Sequence, residues 1–522
     1  MIIAKKVKIG VKKIRLAFIV FTTSSCLMIL EMIGSRILDP YFGSNINTWT
    51  ILIGVILASL SIGYWLGGKI ADSKRDINDI LMKLVGFFGM SILAIVLLKE
   101  FLIYSLLSIK GLSIVFGCFI AVLLLFLVPG VLCGMITPIA VKIKLKTLAN
   151  SGSSAGNLYA ISTVGSIFGT FIAGFYLIPH WGSSIVLVVM GLVLISTSLC
   201  FAPDKLVFMK ILIITLGILY LQLSGPYFNF LKKRGLVQIE TSYRSLLIYQ
   251  LKNKKGRMVS FLVSGANGYE SSKTKGDFTP YLPNFGTLIN SLIQKPANAL
   301  VLGGGTMSIS NFLLQSYPQL YVDSIEIDSK IVDIAKQYFD HVDNERHRAI
   351  IQDGRVFLNA ANRKYDLIIS DVYLDITPPF HLFTKEAALQ VFRLLDNKGV
   401  YLVNVASALE GENSWLFTAS YHTLLSIFPS VMVVPIEKGV NPKAIQSIAI
   451  IATKNTSPEM LKKMNTFGAY DTHLTTGQIL TDDFAPIEYN VSLQAREKPK
   501  FNVSFLFLKE LLNSTRLYLL GA

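Results

Sequence analysis

Between Leu300 and Asp371 glycines and acids stand at the ends of four successive apolar runs. ALVLGGG closes on Gly303, Gly304 and Gly305, SIEID carries Glu326, QDGR carries Asp353 and Gly354, and YDLIISD ends at Asp371. Short apolar runs rich in β-branched residues read as strands, so each cluster falls at a strand's carboxyl end, where open α/β sheets bind ligands. The glycines let backbone approach a ligand with no Cβ in the way, and the helix that follows offers free N–H donors. Glu326 can accept from both hydroxyls of a ribose. Asp353 can accept from an adenine amino group, and Asp371 faces whatever lies beyond the sugar. A dinucleotide site fits less well: GxGxxG needs glycine at 308, where Ser308 stands, and it gives Asp353 no special role.

Elements that could position these residues are visible on either side. From Ala297 onward the runs ALVLG, DSIEI, RAIIQ, DLIIS, VYLVNV and SIAIIA alternate with helical stretches such as KIVDIAKQYF and KEAALQVFRLL. Such alternation predicts a mostly parallel sheet with helices on both faces, a Rossmann-like domain over 281–495. Residues 236–280 open with the β-like runs VQIETSYRSLLIYQL and MVSFLVSG, joined by NKKG, and predict a small β subdomain. The last stretch, 496–522, is too interrupted by charge to span a bilayer and reads as an amphipathic tail.

The first 230 residues have a different texture. The whole chain is 52% apolar with a mean hydropathy of +0.53, too greasy for a soluble protein of 522 residues. Seven apolar stretches, at 15–38, 48–68, 84–107, 112–136, 157–179, 183–202 and 206–224, approach the ~20 residues a bilayer helix needs. The expectation is a polytopic α-helical membrane domain of 7 or 8 helices over 1–230. Its first run, Ile14 to Ile33, is too long for a signal peptide and lacks small residues at its end, so it reads as a retained helix. Gly165 and Gly169 form a GxxxG, and GYWLGG adds a second small-residue seam. Glu31 and Arg36 are candidates for a structural pair within the bundle.

Net charge of +16 raises nucleic-acid binding as a function, and its location dismisses it. Residues 1–234 hold 21 Lys and Arg against 7 Asp and Glu, whereas the remainder is nearly balanced at 28 against 26. The excess sits in Lys5 to Arg15, around Lys74 and Lys83, and at Lys142 to Lys146, as expected of cytoplasmic loops beside anionic headgroups. Cys26, Cys118, Cys133 and Cys200 fall in or beside apolar stretches without paired spacing, so neither a disulfide framework nor a metal site is expected.

Taken together, GGG...SIEIDSKIVDIAKQYF...QDGRVFL...KYDLIISDVY resembles the polyamine aminopropyltransferases, or spermidine synthases, over roughly 236–455. LEMIGSRILDPYFGSNINTWT, IGYWLGGKIAD and LYAISTVGSIFGTFIAGFYLIPHWG resemble the membrane-fused bacterial branch of that family. The resemblance implies a class I methyltransferase type of fold in which Glu326 holds the ribose, Asp353 and Gly354 mark the adenine site, and Asp371 is the catalytic acid. It also implies that Tyr281 in DFTPY, with Asp277 upstream, and Tyr243 beside Glu240 in ETSYRS line the reacting end. His381 in PPFHLF reads as a loop residue. LTDDFAPIEY, with Asp482, Asp483 and Pro486, resembles a closing motif of the membrane-fused branch.

The departures carry as much information. Soluble spermidine synthases have an acid where this chain has Thr306, a second aspartate at the place of Leu374 and a histidine at the place of Leu282. A diamine acceptor must bury an ammonium, which is costly without carboxylates. The sequence reading therefore favours a lyase, in which the carboxylate of S-adenosylmethionine attacks its own γ-carbon, releasing methylthioadenosine and a lactone. Tethering gives such attack a high effective concentration. Aminopropyl transfer from decarboxylated S-adenosylmethionine to putrescine is the alternative, and a transporter or receptor with a nucleoside-sensing domain is a third reading. No cofactor beyond the sulfonium substrate is expected. The expected partners are that small molecule and the lipid bilayer, with homo-oligomerisation left open. The expected location is the bacterial cytoplasmic membrane. Seven spans from a cytoplasmic N-terminus would put the nucleoside domain outside, so a cytoplasmic domain implies a span count in error by one.

Overall fold

The computed structural model describes residues 2–43, 46–73, 76–107, 109, 112–145, 151–201, 207–233, 235–241, 243–252, 258–264, 269–274, 281–293, 295–373, 377–436, 439–455, 470 and 477–494. Leu374, Asp375, Asp277 and the tail 496–522 lie outside them. Among the described residues the chain divides into two compact units, Met1–Arg234 with Ile239–Ser245, and Gly235–Gln238 with the residues from Leu246 to Gln494.

The first unit is a bundle of apolar helices: α1 (Ile2–Phe42), α2 (Ile46–Ala71), α3 (Ile77–Leu107), α4 (Ile114–Lys144), α5 (Ser151–Ile172) running through a π-helical turn into the short α6 (Ile178–Trp181), α7 (Ser183–Phe201) and α8 (Val207–Lys233). Among the described residues six helices are long and apolar enough to cross a membrane, within α1, α2, α3, α4, α5 and α7. The stretch expected as a seventh span falls on α8, whose described apolar part, Met209–Gln222, is shorter. Small residues set the packing. A Cβ on Gly165 or Gly169 would sit 2.5 or 2.4 Å from a carbonyl oxygen of α1, and one on Gly63 would sit 2.4 Å from a carbonyl of α4. Both glycine seams are thus places where two backbones touch. Cys26, Cys118 and Cys133 are buried packing residues, whereas Cys200 is exposed on the helix surface.

Beyond the helical bundle the described chain forms two sheets. Strands β1 (Leu236–Glu240), β2 (Ser245–Lys252), β3 (Met258–Ser264) and β4 (Tyr269–Thr274) form a four-stranded sheet in sequence order. The larger sheet has seven strands: β5 (Asn298–Leu302), β6 (Tyr321–Glu326), β7 (His347–Ile351), β8 (Tyr365–Ser370), β9 (Leu395–Ser407), β10 (Ser430–Pro435) and β11 (Gln446–Thr453). Their spatial order is β10-β11-β9-β8-β5-β6-β7. β5 to β9 are mutually parallel, and β11 and β10 join antiparallel at one edge, so the sheet is mixed. Side-chain alternation along β5 explains why its run is continuously apolar: Leu300 and Leu302 join one core, Ala299 and Val301 the core on the opposite face. Helices α9 (Tyr281–Leu292), α10 (Ser308–Ser316), α11 (Ser329–Tyr338), α12 (Gly354–Ala360), α13 (Lys385–Leu394), α14 (Trp415–Leu425) and α15 (Ile487–Gln494) complete the described elements of this unit, with two short 3-10 turns.

One ionic cluster helps fix the parallel half. Asp323, 3% exposed on β6, accepts two hydrogen bonds from Arg348 at 3.0 and 3.2 Å, one from Arg363 at 3.3 Å and one from the Tyr365 hydroxyl at 2.8 Å. A carboxylate that deep is tolerable because donors meet both of its oxygens.

Candidate functional site

Strand order creates the site. From β5 the chain proceeds through β6 and β7 in one direction, then returns to lay β8 on the other side of β5. At such a reversal the loops leaving adjacent strands diverge and open a crevice at the carboxyl ends. Gly303 to Gly305, Glu326, Asp353 and Asp371 all leave this edge, from β5, β6, β7 and β8 respectively. With about 4.8 Å between neighbouring strands, Asp371 to Asp353 covers about 14 Å. That span can lay out a side chain, a ribose and a base in order.

The glycine turn is held open by its backbone. The Gly303 and Gly304 N–H groups both donate to Ile325 O, at 3.0 and 2.9 Å, and the Met307 N–H closes the turn on Gly304 O at 2.8 Å. Gly303 has φ +84° and its missing Cβ would lie 2.3 Å from Asp371 O; Gly305 has φ +49° and faces open space. Met307 is itself left-handed at φ 57°, immediately before α10. Glu326, 5% exposed at the end of β6, accepts the Gly305 N–H at 2.8 Å on Oε2 and the Asp328 N–H at 3.1 Å on Oε1. Glu326 is therefore pinned in orientation from both sides.

Asp371 is half-buried beyond β8, with its own N–H on Leu302 O at 3.0 Å. The Asn404 side-chain amide donates to Asp371 Oδ1 at 2.9 Å. Burial raises the Asp371 carboxyl above its ordinary value, and the Asn404 hydrogen bond opposes the rise. The neighbouring Tyr373 hydroxyl donates to Asn404 O at 3.1 Å and accepts the Ala406 N–H at 2.7 Å; burial, aided by the Asp371 charge, raises it. Asn404 was not singled out from the sequence. Its signal is there to see, as the one polar residue in the apolar run VYLVNV of β9.

Asp353 caps α12, its Oδ1 accepting from the Arg355 and Val356 N–H groups at 2.8 and 3.0 Å. Its other oxygen lies 3.1 Å from His381 Nε2. His381 does stand in a short turn, as the sequence suggested, but its ring is directed at the acid assigned to adenine. Arg355, four-fifths buried, donates to His381 O at 2.9 Å and pairs with Asp482 through two parallel contacts of 3.1 and 2.7 Å. The LTDD motif thereby reaches the Asp-Gly turn, a link between residues 127 apart that the sequence reading did not make.

Three carboxylates at neighbouring strand ends make this edge suited to a ligand carrying positive charge. Thr306, standing where an acid was expected, is 4% exposed and hydrogen-bonds Ser308 Oγ at 2.8 Å. Tyr281 opens α9 in the same unit. Tyr243 belongs to Ile239–Ser245 of the first unit; it is 42% exposed and its N–H donates to Thr241 Oγ1 at 3.1 Å.

Comparison with known proteins matches one segment of the chain to a family model. The model for the spermine/spermidine synthase domain matches residues 285–456. A probable polyamine aminopropyl transferase of Bifidobacterium longum is 36% identical over 138 residues, covering 26% of this chain and 30% of that protein. A polyamine aminopropyltransferase of Vibrio vulnificus is 32% identical over 143 residues, covering 27% and 47% respectively. The chain thus spans less than half the length of these relatives. A solved structure of a probable spermidine synthase from Corynebacterium glutamicum aligns over 46% of this chain and 94% of its own at 16% identity, with a TM-score of 0.40. Tyr243, Tyr281 and Asp482 lie outside the family match.

Proposed function

We propose, for a chain whose residues 285–456 carry a spermine/spermidine synthase domain, that it is a membrane-integrated enzyme transferring an aminopropyl group from a sulfonium nucleoside to an amine. The observation carrying this is Glu326 clamped between the Gly305 and Asp328 N–H groups, one strand from the glycine turn and two from Asp371. In this reading Glu326 takes the ribose hydroxyls and Asp353 the adenine amino group, which leaves the sulfonium and its propyl arm over Asp371. The amine nitrogen attacks the carbon attached to sulfur. The C–S bond breaks, its electron pair neutralises the sulfonium, and methylthioadenosine departs. Asp371 orients the cationic amine and takes the proton that nitrogen releases, and burial makes it a stronger base than a solvated carboxylate.

The lyase favoured from the sequence becomes the second reading, because both curated relatives above bear the transferase name. What still favours it is Thr306, a buried hydroxyl where the acid nearest the substrate ammonium was expected. Purified full-length protein separates the two. Methylthioadenosine and spermidine formed only with decarboxylated S-adenosylmethionine and putrescine together support transfer. Methylthioadenosine with homoserine lactone from S-adenosylmethionine alone selects the lyase. Nucleoside binding without turnover in either assay would leave a sensor.

We place the protein in a bacterial cytoplasmic membrane with the nucleoside domain in the cytoplasm, where such substrates are made. Six spans from a cytoplasmic N-terminus return the chain to that side before α8. The placement turns on α8, which packs along α7, with Lys210 on Ser198 at 2.7 Å and Gly217 against Leu192. Protease cleavage of the domain only from outside intact cells would make α8 a seventh span and overturn the placement.

A further inference from the structure

The nucleoside reading leaves Asp482 without a role. It is 45% exposed, sits on a turn next to a proline-containing segment, and by composition alone would be a solvated turn former. Its contacts are more specific than that. Oδ1 accepts from Thr384 Oγ1 at 2.7 Å, Oδ1 and Oδ2 together take Arg355 in fork geometry, and the Asp482 N–H donates to Glu386 Oε2 at 3.0 Å. Thr384 also caps α13, and the Lys385 N–H donates to Leu480 O at 2.8 Å. The far partner, Arg355, follows Asp353 by two residues and grips the carbonyl of His381, whose imidazole meets Asp353 Oδ2.

Asp353 Oδ1 is consumed in capping α12, so Oδ2 is the oxygen left for a ligand. His381 Nε2 marks where a donor to it would sit. Everything that fixes that oxygen, the α12 cap on one side and the His381 turn on the other, is tied to Arg355 and through it to Asp482. Asp482 acts through the guanidinium and has no need to touch the base.

We propose that the Arg355–Asp482 pair is the positioning device of the adenine pocket, holding Asp353 and His381 in the register that reads the 6-amino group of the base. This rests on the nucleoside reading above and extends it to a residue outside the matched family segment. With Asp482 45% exposed the pair contributes little to global stability, whereas a two-point arginine fork is geometrically exacting and is lost with either partner.

The test is calorimetric binding of 5′-methylthioadenosine and of its 6-oxo counterpart, 5′-methylthioinosine, to the full-length protein, with thermal melting alongside. Wild type should prefer the amino nucleoside, since a 6-oxo group turns an acceptor toward a carboxylate. Asp482→Asn should weaken methylthioadenosine by about 10-fold and move the ratio between the two nucleosides toward one, with Tm close to wild type. Arg355→Lys keeps the charge but not the fork and should shift the ratio in the same direction. Equal weakening of both nucleosides with a lowered Tm, or an unchanged ratio in both variants, would overturn the positioning role. Failure of wild type to bind either nucleoside would instead remove the reading on which it stands.

Discussion

Gly303 and Gly305 are two residues apart in one turn, yet a methyl group at each should have opposite consequences. A Cβ on Gly303 would lie 2.3 Å from Asp371 O, 2.9 Å from Asp371 C and 3.2 Å from Val372 Cα. All three are backbone atoms, so no rotamer change can relieve the overlap. Restoring ordinary contact near 3.4 Å requires the end of β8 to move by about 1 Å, and Asp371 with it; misplacement on that scale costs on the order of 10² in rate. The residue must also hold φ +84°, at about 1 kcal/mol or more for a side-chain-bearing residue. Gly303→Ala should therefore lower both Tm and turnover, the latter by 10²-fold or more.

A Cβ on Gly305 meets nothing within 4 Å, and φ +49° lies in the left-handed region that single residues visit at about 1 kcal/mol. Its fold should survive. The methyl group would instead project into the open space over the glycine turn, where the ribose is expected, so Gly305→Ala should weaken methylthioadenosine with little change in Tm. Differential scanning fluorimetry, calorimetry and a methylthioadenosine release assay on the two variants give the comparison. Near-normal turnover in Gly303→Ala, or full nucleoside affinity in Gly305→Ala, would refute the placement of the ligand over this turn.

Asp371→Asn should cut turnover by about 10² to 10⁴ and leave methylthioadenosine binding largely intact, while Tm should not fall. The sign follows from burial: a carboxyl whose folded pKa is raised costs the folded state stability once pH exceeds that value, so removing the charge relieves a penalty at neutral pH. A product assay with melting curves checks both halves, and normal turnover would take Asp371 out of the mechanism. Glu326→Gln should weaken nucleoside binding by about 10- to 100-fold, the scale of a lost charge-assisted hydrogen bond, measured by calorimetry; unchanged affinity would move the ribose elsewhere. His347, on Ser324 at 2.8 Å and facing His341, Asp323 and Asp343, is held down to about 4, chiefly by burial. The unfolded chain then binds an extra proton between about pH 6.5 and 4, so the second unit should lose up to about 3 kcal/mol of stability as pH falls through that window. Denaturant titrations at a series of pH values should show this slope reduced in His347→Gln, and an identical slope would mean that other groups set it.

What the sequence determined by itself was whatever is written over short distances. Run length separates the ~20-residue stretches of the first unit from the short strands of the second, and the glycines and acids closing those strands named Gly303, Glu326, Asp353 and Asp371. Helix periodicity likewise marked KIVDIAKQYF and KEAALQVFRLL, which form α11 and α13. Tertiary structure decided everything that depends on which strand lies beside which. Asn404 reaches Asp371 because β8 and β9 are parallel neighbours that pair Ser370 with Val403, and Asp482 reaches Arg355 across 127 residues because the chain folds back past α13. The antiparallel edge of β11 and β10 had no signal in either apolar run, since a strand buried on both faces reads the same in either direction. Local composition encodes what a segment becomes and which end of it carries chemistry. The partner a side chain meets is settled by sheet order and loop paths, which no local pattern records.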